Sequence, residues 1–355
     1  MKKILLLSLF LFSFGLLVAQ KEDADRLVTE GIKLHDKGDY NKALAEYDLA
    51  LELDKDNLFA LAEKALTLTA MSKYDDAIAC CKTVIQKHPN DQNLNTVYVT
   101  YGNALDAQQK PQESLKIYDE GISKFPDFYQ LYYNKGVTLI GLKEYNKAVT
   151  NLQKSVSLNP LHRGSENALA RILLMQEKKI PSLLAFCTFL IIEPQGDRAK
   201  ADLEYVNSLL KGNAEKTGKN SFTISIDPSI LGDTTPDGKH KENSFANTEM
   251  ILSFSATLDN NKKMKKNMSE IELFAFKFNA LCNSLESEQS KSSGFYWDFY
   301  VPFFVAMKKK DMVETFAYLA HASSGDKKVD KWLTEHKKEL NDFYDWTEAF
   351  EWKGK

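Results

Sequence analysis

Four stretches in the first half of the chain share one punctuation, and nothing else in the sequence narrows the fold so far. They begin at Leu27 (LVTEGIKLHDKGDYNKALAEYDLALELDKDN), Leu61, Tyr98 and Tyr132, with starts 34, 37 and 34 residues apart, and a fainter fifth copy runs from Glu166 to Pro194. A small residue recurs at Gly31, Ala65, Gly102, Gly136 and Ala170, with an aliphatic three positions on at Leu34, Leu68, Leu105, Leu139 and Leu173. A second small position (Ala43, Ala77, Ser114, Ala148, Ser182) precedes a bulky one (Tyr47, Cys81, Tyr118, Leu152, Phe186). Pro89, Pro126, Pro160 and Pro194 close the later copies, and Lys55 stands at that place in the first. Small residues let two helices approach, bulky ones fill the gap between them, and proline stops the second helix. Each helix pair keeps an apolar face that only a neighbouring pair can cover, so the copies must stack. The chain is therefore expected to be all-α, a helix-turn-helix solenoid followed by a second, mostly helical domain.

This spacing resembles the tetratricopeptide repeat (TPR) family across residues 24–194. Repeats are placed at about 24–57, 58–91, 95–128, 129–162 and 163–196, with Gln92 to Leu94 lengthening the junction before the third. Glu166 takes the bulky first position of the fifth copy, a departure from the pattern. The resemblance implies a superhelix whose first helices line a concave groove for peptide or protein segments. In some members a Lys/Asn/Arg clamp there grips a terminal carboxylate, but Val28, Ile32 and Glu63 occupy that phase here, which argues against this mode. The polar groove cluster is Asn103, Asn134, Asn167 and Arg171 beside Tyr133, with Phe59 as an apolar contact. Asparagine amides pair with peptide backbone, and Tyr and Arg are favoured at binding hot spots. Two occupants compete: a partner segment, or the chain's own C-terminal part, since exposed apolar surface is rare on a soluble monomer.

Residues 197–211 follow as a capping helix, with Ala199, Leu203, Val206 and Leu210 on one face and Arg198, Lys200, Asp202 and Glu204 assigned elsewhere. Residues 213–246 are rich in Gly, Asn, Thr, Asp and Pro and read as a linker, with an alternating strand-like Phe222 to Ile226. Asp233, Asp237 and His240 within it lack any recognised ligand spacing and read as a solvated loop. A helical domain is expected over 247–355, with no family resemblance. Ser269 and Glu272 predict a capping box, Asp311 and Glu314 another helix start, and the basic run Asn261 to Asn267 a solvated connection. SGFYWDFYVPFF (Ser293 to Phe304) predicts a buried aromatic helix; Pro302 allows either a continuous kinked helix or a helix starting at the proline.

The chain opens with Lys2-Lys3, an apolar run from Ile4 to Val18, and Ala19, the order of a secretory signal peptide over 1–19. Fifteen apolar residues fall short of the ~20 that cross a bilayer, so an exported, periplasmic or envelope-associated protein with no integral membrane segment is expected. A net charge of −3 opposes general attraction to nucleic acid. The four cysteines are too few and irregular for a disulfide framework, although Cys80 or Cys81 bridged to Cys187 is an alternative to four buried thiols. HExxH, GxSxG, GxxxxGK and GxGxxG are all absent, the six histidines are scattered, and nothing calls for a cofactor or metal. The sequence favours a non-enzymatic adaptor or scaffold. A structural subunit of an envelope complex and an enzyme with its site in the C-terminal half are the alternatives.

Overall fold

The computed structural model describes residues 20–211, 214–217, 222–224, 240–255 and 268–353. The leader-like residues 1–19, Asp233, Asp237 and the basic run 261–267 lie outside them. The chain divides into two compact units, 1–148 and 149–355. That division falls within a repeat helix and not in the linker-like junction.

In the first unit helix α1 covers residues 20–36. It is followed by α2 (Tyr40–Leu53), α3 (Leu58–Ala70), α4 (Tyr74–Lys87), α5 (Leu94–Ala107), α6 (Pro111–Lys124) and α7 (Tyr129–Gly141). The residue that turns each pair has a positive φ: Gly38, Ser72, Gln109 and Lys143. The next N–H then donates back to the carbonyl of the repeated aliphatic, Asp39 to Leu34, Lys73 to Leu68, Lys110 to Leu105 and Glu144 to Leu139, at 2.8–3.0 Å. This left-handed closure satisfies helix-end carbonyls, and in three of the four copies a side chain tolerates what glycine does more cheaply. Packing explains the small-then-bulky rule. A Cβ on Gly31 would lie 2.3 Å from the Tyr47 ring and one on Gly102 2.2 Å from the Tyr118 ring. Where alanine replaces that glycine, at Ala65, the bulky partner shrinks to Cys81, and both are buried.

Helix α8 (Tyr145–Leu158) contains the division, and α9 (Arg163–Met175), α10 (Lys179–Ile192) and α11 (Asp197–Lys211) belong to the second unit. Repeat five closes as the others do, with Glu177 at φ 59° and Lys178 N–H on the Leu173 carbonyl at 3.0 Å. A short antiparallel hairpin follows, β1 (Ala214–Lys216) on β2 (Phe222–Ile224), placing a strand within the predicted alternation. Helices α12 (Ala246–Ser255), α13 (Glu270–Glu288), α14 (Phe295–Lys309), α15 (Val313–Ala320), α16 (Lys327–Glu335) and α17 (Lys337–Ala349) complete the unit. Helix α10, KIPSLLAFCTFLII, is buried from Ile180 through Ile191 because α12, α14 and α15 pack on it in addition to α9 and α11. A helix apolar all round has no solvent face to offer.

The capping box forms: Glu272 N–H donates to Ser269 Oγ at 3.2 Å, and Ser269 N–H to Glu272 at 2.6 Å. Helix α14 is continuous through Pro302. Phe303, fully buried, stacks on Trp346 (4.8 Å between ring centroids) and Trp352 (4.6 Å) and meets Phe350 edge-on (5.1 Å). The expected cap at Asp311 is different in kind. Asp311 has φ 55°, Met312 N–H returns to the Met307 carbonyl, and Met312 is the N-cap of α15. Asp311 thus closes one helix where its sequence context suggested the opening of the next. All four cysteines are free, so the alternative bridge is not formed.

Candidate functional site

In the first unit, α3 packs beside α5 and α5 beside α7, so the first helices of successive repeats lie side by side. The faces turned away from the second helices keep apolar groups in solvent: Phe59 is 50% exposed, Leu66 43% and Val137 40%. Tyr118, which fills the space beside Gly102, donates its hydroxyl to Asn103 Oδ1 at 2.6 Å, and burial pushes that phenol up to about 12. Asn103 therefore spends its acceptor on the fold and keeps its amide N–H groups for the open face. Asn134 does the reverse, donating to the Gln130 carbonyl at 2.8 Å and keeping Oδ1 as an acceptor. Tyr133, one residue away, is half-buried.

Lysines near this face are committed elsewhere. Lys64 pairs with Asp48 and Lys135 with Asp119, each at 2.5 Å and each reaching back from a first helix to the preceding second helix. Glu63 has its carboxyl raised by burial, a shift that His35 opposes. Asp106 stands three residues after Asn103 on α5.

The remaining two predicted residues, Asn167 and Arg171, lie in the second unit on α9. Arg171 donates to Asn167 Oδ1 at 3.0 Å and to Asp202 Oδ1 at 2.5 Å, and Asn167 also donates to Asp202. Asp202 is buried, contrary to its expected place off the apolar face of α11. Its carboxyl is pushed up to about 6 because burial outweighs Arg171 and Asn167. The signal was available: residue 202 is three beyond Ala199 and four before Val206, the spacing of the same helical face. In place of a ready cation for a partner, Arg171 serves as counter-charge to a buried acid and stands over the Tyr205 ring at 5.6 Å.

Glu166, the residue that breaks the repeat pattern, is wholly buried and accepts the Tyr300 hydroxyl on Oε2 at 2.5 Å. Burial holds its carboxyl well above the usual range, with the Tyr300 bond pulling it back, and Oε1 is buried with no partner. Burial of this kind favours the protonated form of a carboxyl. His240, expected in a solvated loop, instead has its ring Nε2 2.7 Å from Glu288 Oε2 while its backbone N–H donates to the Lys291 carbonyl. Among the described residues no three His, Cys, Asp or Glu side chains gather to hold a metal, and no helix is long and apolar enough to cross a membrane.

A family model described as the N-terminal TPR repeats region of psidin matches residues 33–162. The Protein STIP1 homolog of Dictyostelium discoideum is 29% identical over 96 residues, which cover 26% of this chain and 17% of that protein. The Hsp70-Hsp90 organizing protein of Triticum aestivum is 23% identical over 206 residues, covering 57% of this chain and 35% of its own length. The chain thus spans well under two thirds of either relative. Among solved structures, Pseudomonas aeruginosa pilF aligns with a TM-score of 0.47 at 19% identity, over 54% of this chain and 90% of that one.

Proposed function

Since this chain is a tetratricopeptide-repeat protein over its repeat region, we propose that the first unit acts as a protein-interaction adaptor, holding an extended peptide segment against α3, α5 and α7. The observation that carries this reading is the row of solvent-facing apolar side chains on first helices, Phe59, Leu66 and Val137. Beside them Asn103 offers donors and Asn134 an acceptor, a pairing suited to the alternating N–H and C=O of a peptide backbone. The local charge selects among peptides. With Lys64 and Lys135 neutralised and Glu63 and Asp106 nearby, the face favours an apolar segment flanked by Lys or Arg over an acidic tail. The leader-like order of residues 1–19 supports a workplace outside the cytoplasm, which the intact mass of the mature chain tests.

Binding to an array of peptides varied in charge and hydropathy tests the adaptor reading. Apolar-basic peptides are expected to bind best, and Phe59→Ser with Val137→Ser to weaken them by about 10-fold or more, the usual cost of losing interface anchors. Equal binding by that double variant, or preference for acidic termini, would overturn the reading.

A further inference from the structure

We propose that the second unit binds an uncharged, largely apolar molecule that carries a hydroxyl group, in the cavity between α11, the first turns of α13 and the end of α15. This cavity has a volume of about 540 Å³, inside the ~300–1,000 Å³ of ordinary small-molecule sites. Leu203 and Leu210 of α11 and Phe274 of α13 give it an apolar floor, each 5% exposed or less. Leu273 adds a half-buried side chain from α13. Hydrocarbon seated on such a floor leaves water much as a core side chain does.

His321 specifies the polar group of the ligand. It stands on the same wall and is 7% exposed. Its Nδ1 lies 2.7 Å from the Ala317 carbonyl, which can only accept, so Nδ1 carries the proton. Burial lowers the ring's affinity for a second proton, which leaves Nε2 with a lone pair. No donor among the described residues reaches Nε2, and the protein does not seal that atom from solvent. Phe274 meets the ring edge-on, 4.8 Å between centroids. An occupant of the cavity displaces the water that would otherwise serve this lone pair, so an occupant without a donor loses affinity. An O–H supplies the donor without bringing a charge.

Nothing on the wall calls for a charged ligand. Lys277 lines the cavity but is already engaged within the chain. Lys211 and Glu270 are exposed and opposite in sign, and Asn207, one turn after Leu203, is neutral. A carboxylate would give up its hydration to enter the apolar space and would set acceptors against the acceptor of His321. Apolar floor and single imidazole lone pair together specify hydrocarbon and hydroxyl on one neutral molecule.

Calorimetric titration of the full-length chain with 1-octanol, its isomer 1-methoxyheptane, which has no O–H, and octanoate provides the test. Saturable binding of 1-octanol is expected, with the ether about 5- to 10-fold weaker for want of one hydrogen bond and octanoate also weaker than the alcohol. His321→Phe should bring alcohol and ether to equal affinity. Leu273→Trp, which fills the cavity from a half-buried position, should weaken both by about 10-fold or more. Should either variant misfold, judged by far-ultraviolet circular dichroism, the three probes on the unaltered protein still decide. Equal affinity for alcohol and ether, tightest binding of octanoate, or no saturable binding of any probe would overturn the proposal.

Discussion

The two units solve the same problem of covering helix pairs by opposite means. In the first unit a small residue against a bulky one recurs from copy to copy, and side-chain hydrogen bonds link neighbouring repeats, as in His35–Thr67 and Lys124–Pro89, 32 and 35 residues apart. In the second unit the decisive contacts are unique and distant. Tyr300 bonds Glu166 across 134 residues and Ser323 bonds the Pro194 carbonyl across 129. One architecture spreads its stability along the chain and leaves a face open; the other concentrates it in a single aromatic core. The left-handed turn at Asp311 shows that the same local device that closes the repeats, as at Glu177, also joins α14 to α15. What changes is the residues the device brings together.

All four tryptophans, Trp297, Trp332, Trp346 and Trp352, lie in the second unit, so their emission reports on it alone while far-ultraviolet circular dichroism sees both. The largest expected effect is on Phe303→Ala, which should destabilise the second unit by about 3–5 kcal/mol. The tryptophan transition should move to lower urea while the helical signal keeps a later phase. If the two signals instead shift together, the units are a single cooperative body and the contrast drawn above fails. Next in size is Gly102→Ala, which forces a methyl into the Tyr118 ring and should cost about 1–3 kcal/mol in the helical signal. An unmoved tryptophan transition in that variant would sharpen the separation.

The smallest effect near pH 5, but one that grows with pH, belongs to Glu166→Gln. The folded carboxyl sits above its unfolded value, so its stabilising contribution is whole below about pH 4.5 and is lost as pH rises through the folded value. Glutamine still offers Tyr300 an acceptor and removes this slope. Urea midpoints followed by tryptophan emission between pH 4.5 and 8 should fall more steeply in the wild type; parallel curves would mean that Glu166 is not buried as an acid.

Repetition is what made the first unit legible. A single Gly31 or Tyr47 says little, but the same pair at Gly102 and Tyr118 with the same spacing fixes both the helices and their contact. The turn residues Ser72, Gln109 and Lys143 could not be read, because only Gly38 advertises a positive φ. In the second unit the helices were visible from their caps and stripes, as at Ser269. Their partners were not, because nothing local in Glu166 or Tyr300 points across 134 residues. The candidate face divided along the same line. Asn103, Asn134 and Phe59 stand on first helices of repeats in the first unit, whereas Arg171 and Asn167 are bound to Asp202, whose burial was readable in its spacing but masked by its charge.

The span from Glu166 to Tyr300 also sets a schedule. Helix α10, apolar on every side, leaves a ribosome long before α14 and α15, the helices that complete its cover. At synthesis rates of ~5–20 residues per second, the 134 residues from Glu166 to Tyr300 keep that pair apart for roughly 7–27 s. Repeats one to four can close behind the ribosome as each successor emerges, but the fifth must wait with its hydrophobic surface bare.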